Sequence, residues 1–256
     1  MEKKEFRQIV AVANHKGGVG KTTSAVNIAA CWGEMGQKVL LVDLDPQGSA
    51  SMSFGIENDG NEILQALQKT IALPVVSTQA EGVDLVPSGP HLAIARQRFT
   101  GSIGKELLLR CLKQMQGGWE KVIIDCPPSL GVLTMAALWA SDHVIIPVEA
   151  NYLAMSGLKQ MVDTVGSVEN DHPGIAIRAV IPCRAHPRRR VHQAIMKQFE
   201  KLFPGKVSPI IRENAALTEA PGYGKPVVLS ASKSHGADDY RLVASWLLEH
   251  LARTAS

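Results

Sequence analysis

The chain has 256 residues, 45% of them hydrophobic and 20% charged, with a formal net charge of +3. These values exclude disordered and fibrous proteins, and the length allows a sizeable core without disulfide or metal staples. The cysteines are Cys31, Cys111, Cys126 and Cys183. No two of them form a CxxC pair, which argues against a zinc site or a disulfide framework.

Apolar, β-branched runs bounded by turn residues predict strands along most of the chain. In order they cover residues 8–13, 38–44, 83–86, 121–125, 143–148 and 175–181, with weaker candidates at 207–211 and 227–229. Helical patterns cover residues 22–35, 105–115, 133–140, 156–168, 190–202 and 238–252, whereas residues 58–79 are undecided.

Strands that are apolar throughout and alternate with helices are typical of a sheet covered on both faces. We therefore predict an α/β fold, a single doubly wound, mostly parallel sheet with helices on both faces. No linker or internal repeat divides the chain, so one domain over residues 1–256 is expected. Residues 9–13 are too short a run for a signal-peptide core, and residues 126–141 fall short of the roughly 18 apolar residues of a membrane span. We therefore expect a cytoplasmic protein.

The first strand is followed by NHKGGVGKTT, residues 14–23, and then by a helix. Glycines permit close backbone approaches that side chains block, so successive N–H groups of such a loop can surround a phosphate at a helix N-terminus. In this arrangement Lys21 reaches the β- and γ-phosphates of a nucleotide, and the Thr22 hydroxyl ligates Mg²⁺. Because His15 stands where the usual GxxxxGK[ST] motif has glycine, the match is to the deviant form KGGxGK[ST], which begins with a second lysine, Lys16.

Two further predicted strands end in carboxylates, in the segments LVDLDPQG at 41–48 and VIIDCPP at 122–128. Ligands of open α/β sheets bind beyond the carboxyl ends of the strands, so these acids are expected beside the phosphate loop. We predict that Asp125 holds Mg²⁺ through water and that Asp45 orients or activates the attacking water. The predicted catalytic residues are Lys16, Lys21 and Asp45. The predicted ATP-binding residues are Lys16, Gly17, Gly18, Gly20, Lys21, Thr22, Thr23 and Gln47.

Five segments together resemble the ParA/Soj/MinD family of deviant-Walker P-loop ATPases. They are KGGVGKTT at 16–23, VDLDPQG at 42–48, IIDCPPSLG at 123–131, PVEANYLAMSGL at 147–158 and LTEAPGYGKPV at 217–227. The resemblance extends over nearly the whole chain, and its last two segments separate the ParA/Soj branch from its relatives.

The resemblance implies an ATP hydrolase that needs Mg²⁺ and forms a homodimer with ATP enclosed between the subunits. Its ATPase activity is expected to be weak without a stimulating partner. In such dimers the first lysine, here Lys16, crosses to the partner's phosphates, as an arginine finger does. A ParB-like protein or a small adaptor is expected to stimulate hydrolysis. The expected role is to segregate or position a chromosome locus, a plasmid or a protein compartment such as a carboxysome, in association with the nucleoid.

The C-terminal part of the chain is basic. From Arg178 onward there are 13 Lys and Arg against 6 Asp and Glu, whereas the first 177 residues carry a net charge of −4. Such an asymmetry predicts a polyanionic partner, with an unevenly charged solvated surface as the alternative. Related proteins bind DNA without sequence preference through this region, so the resemblance implies DNA as that partner. The predicted DNA-binding residues are Arg188, Arg189, Arg190, Lys197 and Arg212.

The chain departs from the family at residues 211–216, which read IRENAA where IPRNVR is usual. Glu213 and Ala216 therefore stand at customary basic positions. The adenine side of the nucleotide site is expected near Cys183, Arg184 and residues 211–214.

Three related functions are alternatives to this role. A MinD-like membrane ATPase would need a basic amphipathic helix beyond the core, but residues 240–251 resemble a core-covering helix, so no membrane partner is expected. A reductase like the nitrogenase iron protein would need paired cluster cysteines. An ATP-dependent biosynthetic enzyme of the same superfamily stays open, although LTEAPGYGKPV argues against it.

Overall fold

The computed structural model describes residues 8–99, 101–152 and 154–252, so the ends of the predicted domain, residues 1–7 and 253–256, lie outside the described residues. In the described chain one sheet contains seven strands. They are β1 Gln8–Val12, β2 Val39–Asp43, β3 Val76–Ser77, β4 Val83–Val86, β5 Lys121–Asp125, β6 His143–Glu149 and β7 Ala176–Cys183. The strand order is β3-β4-β2-β5-β1-β6-β7, and every neighbouring pair is parallel except the antiparallel pair β3–β4.

Helices connect these strands and cover both faces of the sheet. They are α1 Lys21–Glu34, α2 Ser49–Met52, α3 Asn61–Lys69, α4 Ala95–Arg98, α5 Gly101–Leu112, α6 Val132–Trp139, α7 Ala154–Asp171, α8 Arg190–Leu202, α9 Ala215–Glu219, α10 Val227–Ser230 and α11 His235–Ala252. Two 3-10 turns add Pro90–Ile94 and Ala220–Tyr223. Among the described helices, none combines the length and the apolar character that a membrane crossing requires.

Alternating side chains of each strand build two apolar layers. In β1, Ile9 and Ala11 pack with α3 and α5 to α8, whereas Val10 and Val12 pack with α1, α10 and α11. Successive residues of a strand point to opposite faces, so a strand that is buried on both faces must be apolar throughout. The structure therefore confirms the predicted doubly wound, mostly parallel sheet.

The six main predicted strands and the six predicted helices are present, with ends shifted by at most four residues. The undecided stretch 58–79 contains α3 and β3. The weak strand at 207–211 is wrong, because in this segment Val207 forms only one isolated bridge, to Val180 of β7, and Pro209 has no N–H to continue a ladder.

The weak strand predicted at 227–229 is also wrong, because these residues belong to α10. The Val227 N–H donates to Asn27 Oδ1 of α1 at 2.8 Å, which removes it from any strand ladder. Val227 and Val228 are buried against the α1 side of the sheet, so packing overrides their strand preference.

The contact between α1 and α11 predicts a specific loss of stability. Trp32 is fully buried, and its Nε1 donates to the Ala244 carbonyl oxygen at 3.0 Å. Trp32→Phe removes this donor and leaves a cavity, so the free energy of unfolding should fall by about 2 kcal/mol. Urea denaturation measures it, with the half-buried Trp246→Phe as the matched control. An equal loss of unfolding free energy in both variants would contradict the stabilising role of the Trp32 contact with Ala244.

Candidate nucleotide-binding site

The predicted site residues meet at the carboxyl edge of the three central strands. The pairing of β2 with β5 places Asp43 beside Asp125, and the pairing of β1 with β5 places Val12 beside Asp125. The glycine-rich loop leaves β1 at this edge and enters α1 at Lys21. The structure therefore brings the loop and both acidic segments together, as the sequence predicts.

The glycine-rich loop has a backbone that only glycine adopts readily. Gly18 has φ 73° and Gly20 has φ 96°, both in the left-handed region. Asn14 closes the loop, because its Oδ1 accepts from the Lys16 N–H at 3.0 Å and its Nδ2 donates to the Pro147 carbonyl at 2.7 Å. A loop so ordered at the N-terminus of a 14-residue helix is a preformed cradle for a phosphate.

Lys21 lies at the base of this cradle. Its side chain is buried, and its Nζ donates to the Lys16 carbonyl oxygen at 3.0 Å. Burial lowers the pKa of Lys21, while the nearby carboxylates of Asp125 and Asp45 raise it. The loop therefore holds a cation that is poorly solvated and available to an anionic ligand.

Asp125 is fully buried at the end of β5, and neither of its carboxylate oxygens has a hydrogen-bond partner in the described chain. Burial and the neighbouring Asp43 raise its pKa well above the usual value, whereas the Lys21 ammonium lowers it. An ionised carboxylate without donors is costly, and hydroxyl and carboxylate oxygens are ligands that Mg²⁺ prefers. The residues present therefore fit Mg²⁺ held by Thr22 and, through water, by Asp125.

Asp45 and Gln47 form a tight turn after β2. Asp45 is 8% exposed, and its Oδ1 accepts from the Gln47 N–H at 3.0 Å. The Gly48 N–H donates to the Asp45 carbonyl at 2.9 Å. The turn leaves the Gln47 side chain exposed, at the same edge as the phosphate loop.

Lys16 lies at the rim of the site. Its Nζ is 3.6 Å from Glu149 Oε2 at the end of β6, and both side chains are partly exposed. Such pairs contribute only about 0–1 kcal/mol, so Lys16 can change partners at little cost. Sequence reasoning missed Glu149 and Asn14, although Glu149 carries the same signal as Asp125, an acid at the end of an apolar strand.

Four of the five predicted DNA-binding residues are exposed, just before α8 or within it: Arg188, Arg189, Arg190 and Lys197. Arg212 also lies near these residues, because its backbone forms a bridge to Ala185. Its side chain, however, is paired within the chain. Its guanidinium donates to both carboxylate oxygens of Asp239, with Nη2 2.7 Å from Oδ1 and Nε 2.9 Å from Oδ2. The charge of Arg212 is therefore compensated within the chain.

The residues of the predicted adenine side lie in different surroundings. Cys183 lies against the phosphate loop, since a Cβ at Gly20 would be 3.5 Å from its Sγ. Arg184 follows with φ 49° and is exposed. Asn214 is used elsewhere, because its Oδ1 accepts from the Ala216 N–H and caps α9.

The family described as an AAA domain matches residues 7–177. The sporulation initiation inhibitor protein Soj of Bacillus subtilis (strain 168) is 39% identical over 241 residues, which cover 91% of this chain and 95% of Soj. The chain belongs to the ParA/Soj family. The chromosome partitioning protein ParA of Myxococcus xanthus (strain DK1622), also similar, is 33% identical over 249 residues, 94% of this chain and 88% of that protein.

Among solved structures, cobyrinic acid a,c-diamide synthase from Mycobacterium smegmatis with bound ADP and magnesium is similar at a TM-score of 0.82 and 30% identity, covering 97% of both chains. Membership of the ParA/Soj family confirms the resemblance that the five segments carry. It identifies the chain as a partition ATPase of the ParA/MinD superfamily.

The unpartnered carboxylate of Asp125 predicts that its replacement stabilises the protein but weakens Mg²⁺-dependent ATP binding. Its pKa is raised well above its usual value by burial, so the native chain binds this proton more tightly than the unfolded chain. The free energy of unfolding therefore falls as pH rises through the raised pKa. Asp125→Asn should therefore stabilise the ligand-free protein, by about 1–3 kcal/mol at pH 8 and by less at pH 5. It should also weaken the Mg²⁺-dependent part of ATP binding.

Thermal denaturation at both pH values, with calorimetric titration of ATP with and without Mg²⁺, measures both effects. Asp84→Asn is the matched control, because this half-buried carboxylate of β4 already accepts from Trp119 Nε1 at 2.8 Å. A lower melting temperature for Asp125→Asn at pH 8 would contradict the prediction.

Proposed function

We propose that the chain is a Mg²⁺-dependent ATP hydrolase that dimerises around ATP, binds DNA without sequence preference and segregates or positions an intracellular cargo. The observation that carries the proposal is the preformed phosphate loop beside the buried, unpartnered Asp125 and the Asp45 turn. Family membership supports the same conclusion. We further propose that residues 1–256 act as one domain.

Each site residue has a separate task in this proposal. Bound MgATP supplies the bond to be cleaved and a divalent charge at its terminal phosphates. The loop N–H groups and Lys21 bind phosphate oxygens, and Thr22 with Asp125 holds the metal. Asp45, which is nearly buried and fixed in its turn, orients the attacking water. Gln47 and Thr23 contact phosphate oxygens from the two flanking segments.

Lys16 links hydrolysis to dimerisation. Its ammonium is partly exposed and faces Glu149 at 3.6 Å, so leaving this weak pair costs little. In a dimer that encloses ATP, Lys16 reaches the phosphates bound to the partner and compensates their charge. Only the triphosphate form then joins both subunits, so dimerisation depends on ATP.

The basic surface formed by Arg188, Arg189, Arg190 and Lys197 is proposed to bind DNA phosphates. All four side chains are exposed, in the part of the chain whose net charge is +7. Arg212 contributes least, because Asp239 already neutralises its guanidinium. Two such surfaces in an ATP-bound dimer bind more phosphates than one, which links DNA binding to the nucleotide state.

The proposed cargo and stimulating partner extend the family membership of the chain. Soj and the Myxococcus xanthus ParA, a chromosome partitioning protein, support a partition role. We propose a ParB-like protein or a small adaptor as the activator of hydrolysis, and association with the nucleoid in the cytoplasm. The product of a neighbouring gene distinguishes DNA segregation from positioning of a protein compartment.

A biosynthetic role is the second candidate, favoured by the similarity to the Mycobacterium smegmatis synthase. It is tested by comparing what stimulates ATP turnover. Stimulation by DNA together with a partner protein supports the partition role. Stimulation by a carboxylic acid and an amide donor, with no DNA binding, supports the biosynthetic role.

The roles of Asp45 and Lys16 predict two different defects. Asp45→Ala should bind MgATP and dimerise, yet hydrolyse ATP about 100-fold more slowly, because the water is no longer oriented. Lys16→Ala should bind MgATP but fail to dimerise. Size-exclusion chromatography with ATP and a phosphate-release assay separate these outcomes, and the exposed Lys159→Ala of α7 is the control. Wild-type turnover in Asp45→Ala would refute its role.

The basic surface predicts a salt-dependent loss of DNA binding. Each phosphate contact contributes about 0.9 to the slope of log affinity against log salt. Arg189→Glu with Arg190→Glu should weaken binding equally on unrelated duplexes and lower this slope by about 2. Fluorescence anisotropy with ATP or ADP across a salt series measures it. Lys69→Glu with Lys113→Glu makes the same charge change on other exposed residues, and an equal loss there would indicate a solvated loop at Arg189.

A further inference from the structure

Asp43, at the end of β2, is a buried carboxylate that the proposed mechanism does not use. Its Oδ1 accepts from the Asp45 N–H at 3.2 Å. Its Oδ2 accepts from the Ser51 N–H at 2.8 Å and from the Ser51 hydroxyl at 2.7 Å. Both oxygens of Asp43 thus accept hydrogen bonds from residues that follow it closely in the chain, whereas those of Asp125 accept none. Asp43 therefore stabilises the conformation of this segment.

The three donors lie at the two ends of the Asp45 turn. Asp45 begins the turn, Gly48 ends it with φ 64°, and Ser51 belongs to the helix α2 that follows. One carboxylate therefore joins the start of the turn to the helix after it. Hydrogen bonds to an ionised acceptor are about twice as strong as neutral ones, so Asp43 is well suited to fix this loop.

The Ser51 hydroxyl connects this loop to the neighbouring strand. Its Oγ donates to Asp43 and accepts from the Ser88 N–H at 3.0 Å, just beyond the end of β4. Gly48 also packs against this segment, since a Cβ there would be 3.0 Å from the Ser88 carbonyl oxygen. The turn is therefore anchored to the sheet on two sides.

We infer that Asp43 is a positioning residue for hydrolysis, which acts by holding Asp45 through the Asp45 N–H and Ser51. The inference rests on the proposed function, in which Asp45 orients the attacking water. Because its oxygens already accept from Asp45 and Ser51, Asp43 is assigned no contact with the phosphates or the metal. Its effect is on the placement of Asp45, and displacements of about 1 Å in such groups cost up to 100-fold in rate.

Asp43→Asn tests the inference, because an amide presents one NH₂ group that opposes either the Asp45 N–H or the Ser51 N–H. Single-turnover hydrolysis should fall at least about 10-fold while the Kd for MgATP stays within about twofold. In the Asp45→Ala background, Asp43→Asn should cause no further loss, because it acts through Asp45. A merely structural role would lower ATP affinity and melting temperature together.

Two further variants keep the test decisive. Ser51→Ala removes one donor to Asp43 and the acceptor for Ser88, so it should slow hydrolysis in the same way, and it carries the test if Asp43→Asn does not fold. Asp84→Asn, a matched carboxylate-to-amide change in β4, should leave hydrolysis unchanged.

The outcomes separate the inference from the proposed function. Wild-type hydrolysis in Asp43→Asn and Ser51→Ala, with Asp45→Ala impaired, overturns the inference alone. Loss of MgATP binding in Asp43→Asn, or a further loss of rate in the Asp45→Ala background, also overturns it. Wild-type hydrolysis in Asp45→Ala overturns the proposed role of Asp45 and the inference with it.

Discussion

The parallel register of the three central strands is the constraint on which the site depends. It pairs Asp43 with Asp125 across β2 and β5, and it pairs the end of β1 with the same Asp125. Parallel strands end at one edge, so the phosphate loop and both acids meet there. A shift of one residue in β5 would turn Asp125 to the other face of the sheet and remove it from the site.

The packing that sets this register also makes the ligand-free site costly. Helices cover both faces of the sheet, so Asp43 and Asp125 are fully buried, and burial raises the pKa of Asp43 to about 6 and that of Asp125 well above its usual value. Burial lowers the pKa of Lys21 beside them. A metal ion would balance the charge of Asp125 and a polyphosphate would balance that of Lys21, so ligand binding stabilises the fold.

The solvent exposure of the two ion pairs determines how easily each can be broken. Lys16 and Glu149 are both partly exposed and 3.6 Å apart, which makes a weak pair that a phosphate can replace. Arg212 binds Asp239 through two nitrogens, and the Asp239 side chain is only 9% exposed. Breaking this second pair would leave a nearly buried carboxylate without its cation, so Arg212 remains bound to Asp239.

The local segments of the fold and the phosphate loop are determined by the sequence itself. Apolar periodicity and the glycine requirement at Gly18 and Gly20 act within a few residues, so they are readable without the rest of the chain. The Val227 segment shows the limit, because its helical state depends on Asn27, 200 residues away in the chain. Strand order, the bonds of Asp43 to Ser51, the pairing of Lys16 with Glu149 and that of Arg212 with Asp239 were decided only by the tertiary structure. These contacts join segments whose proximity arises from packing of the whole sheet, which local preference does not specify.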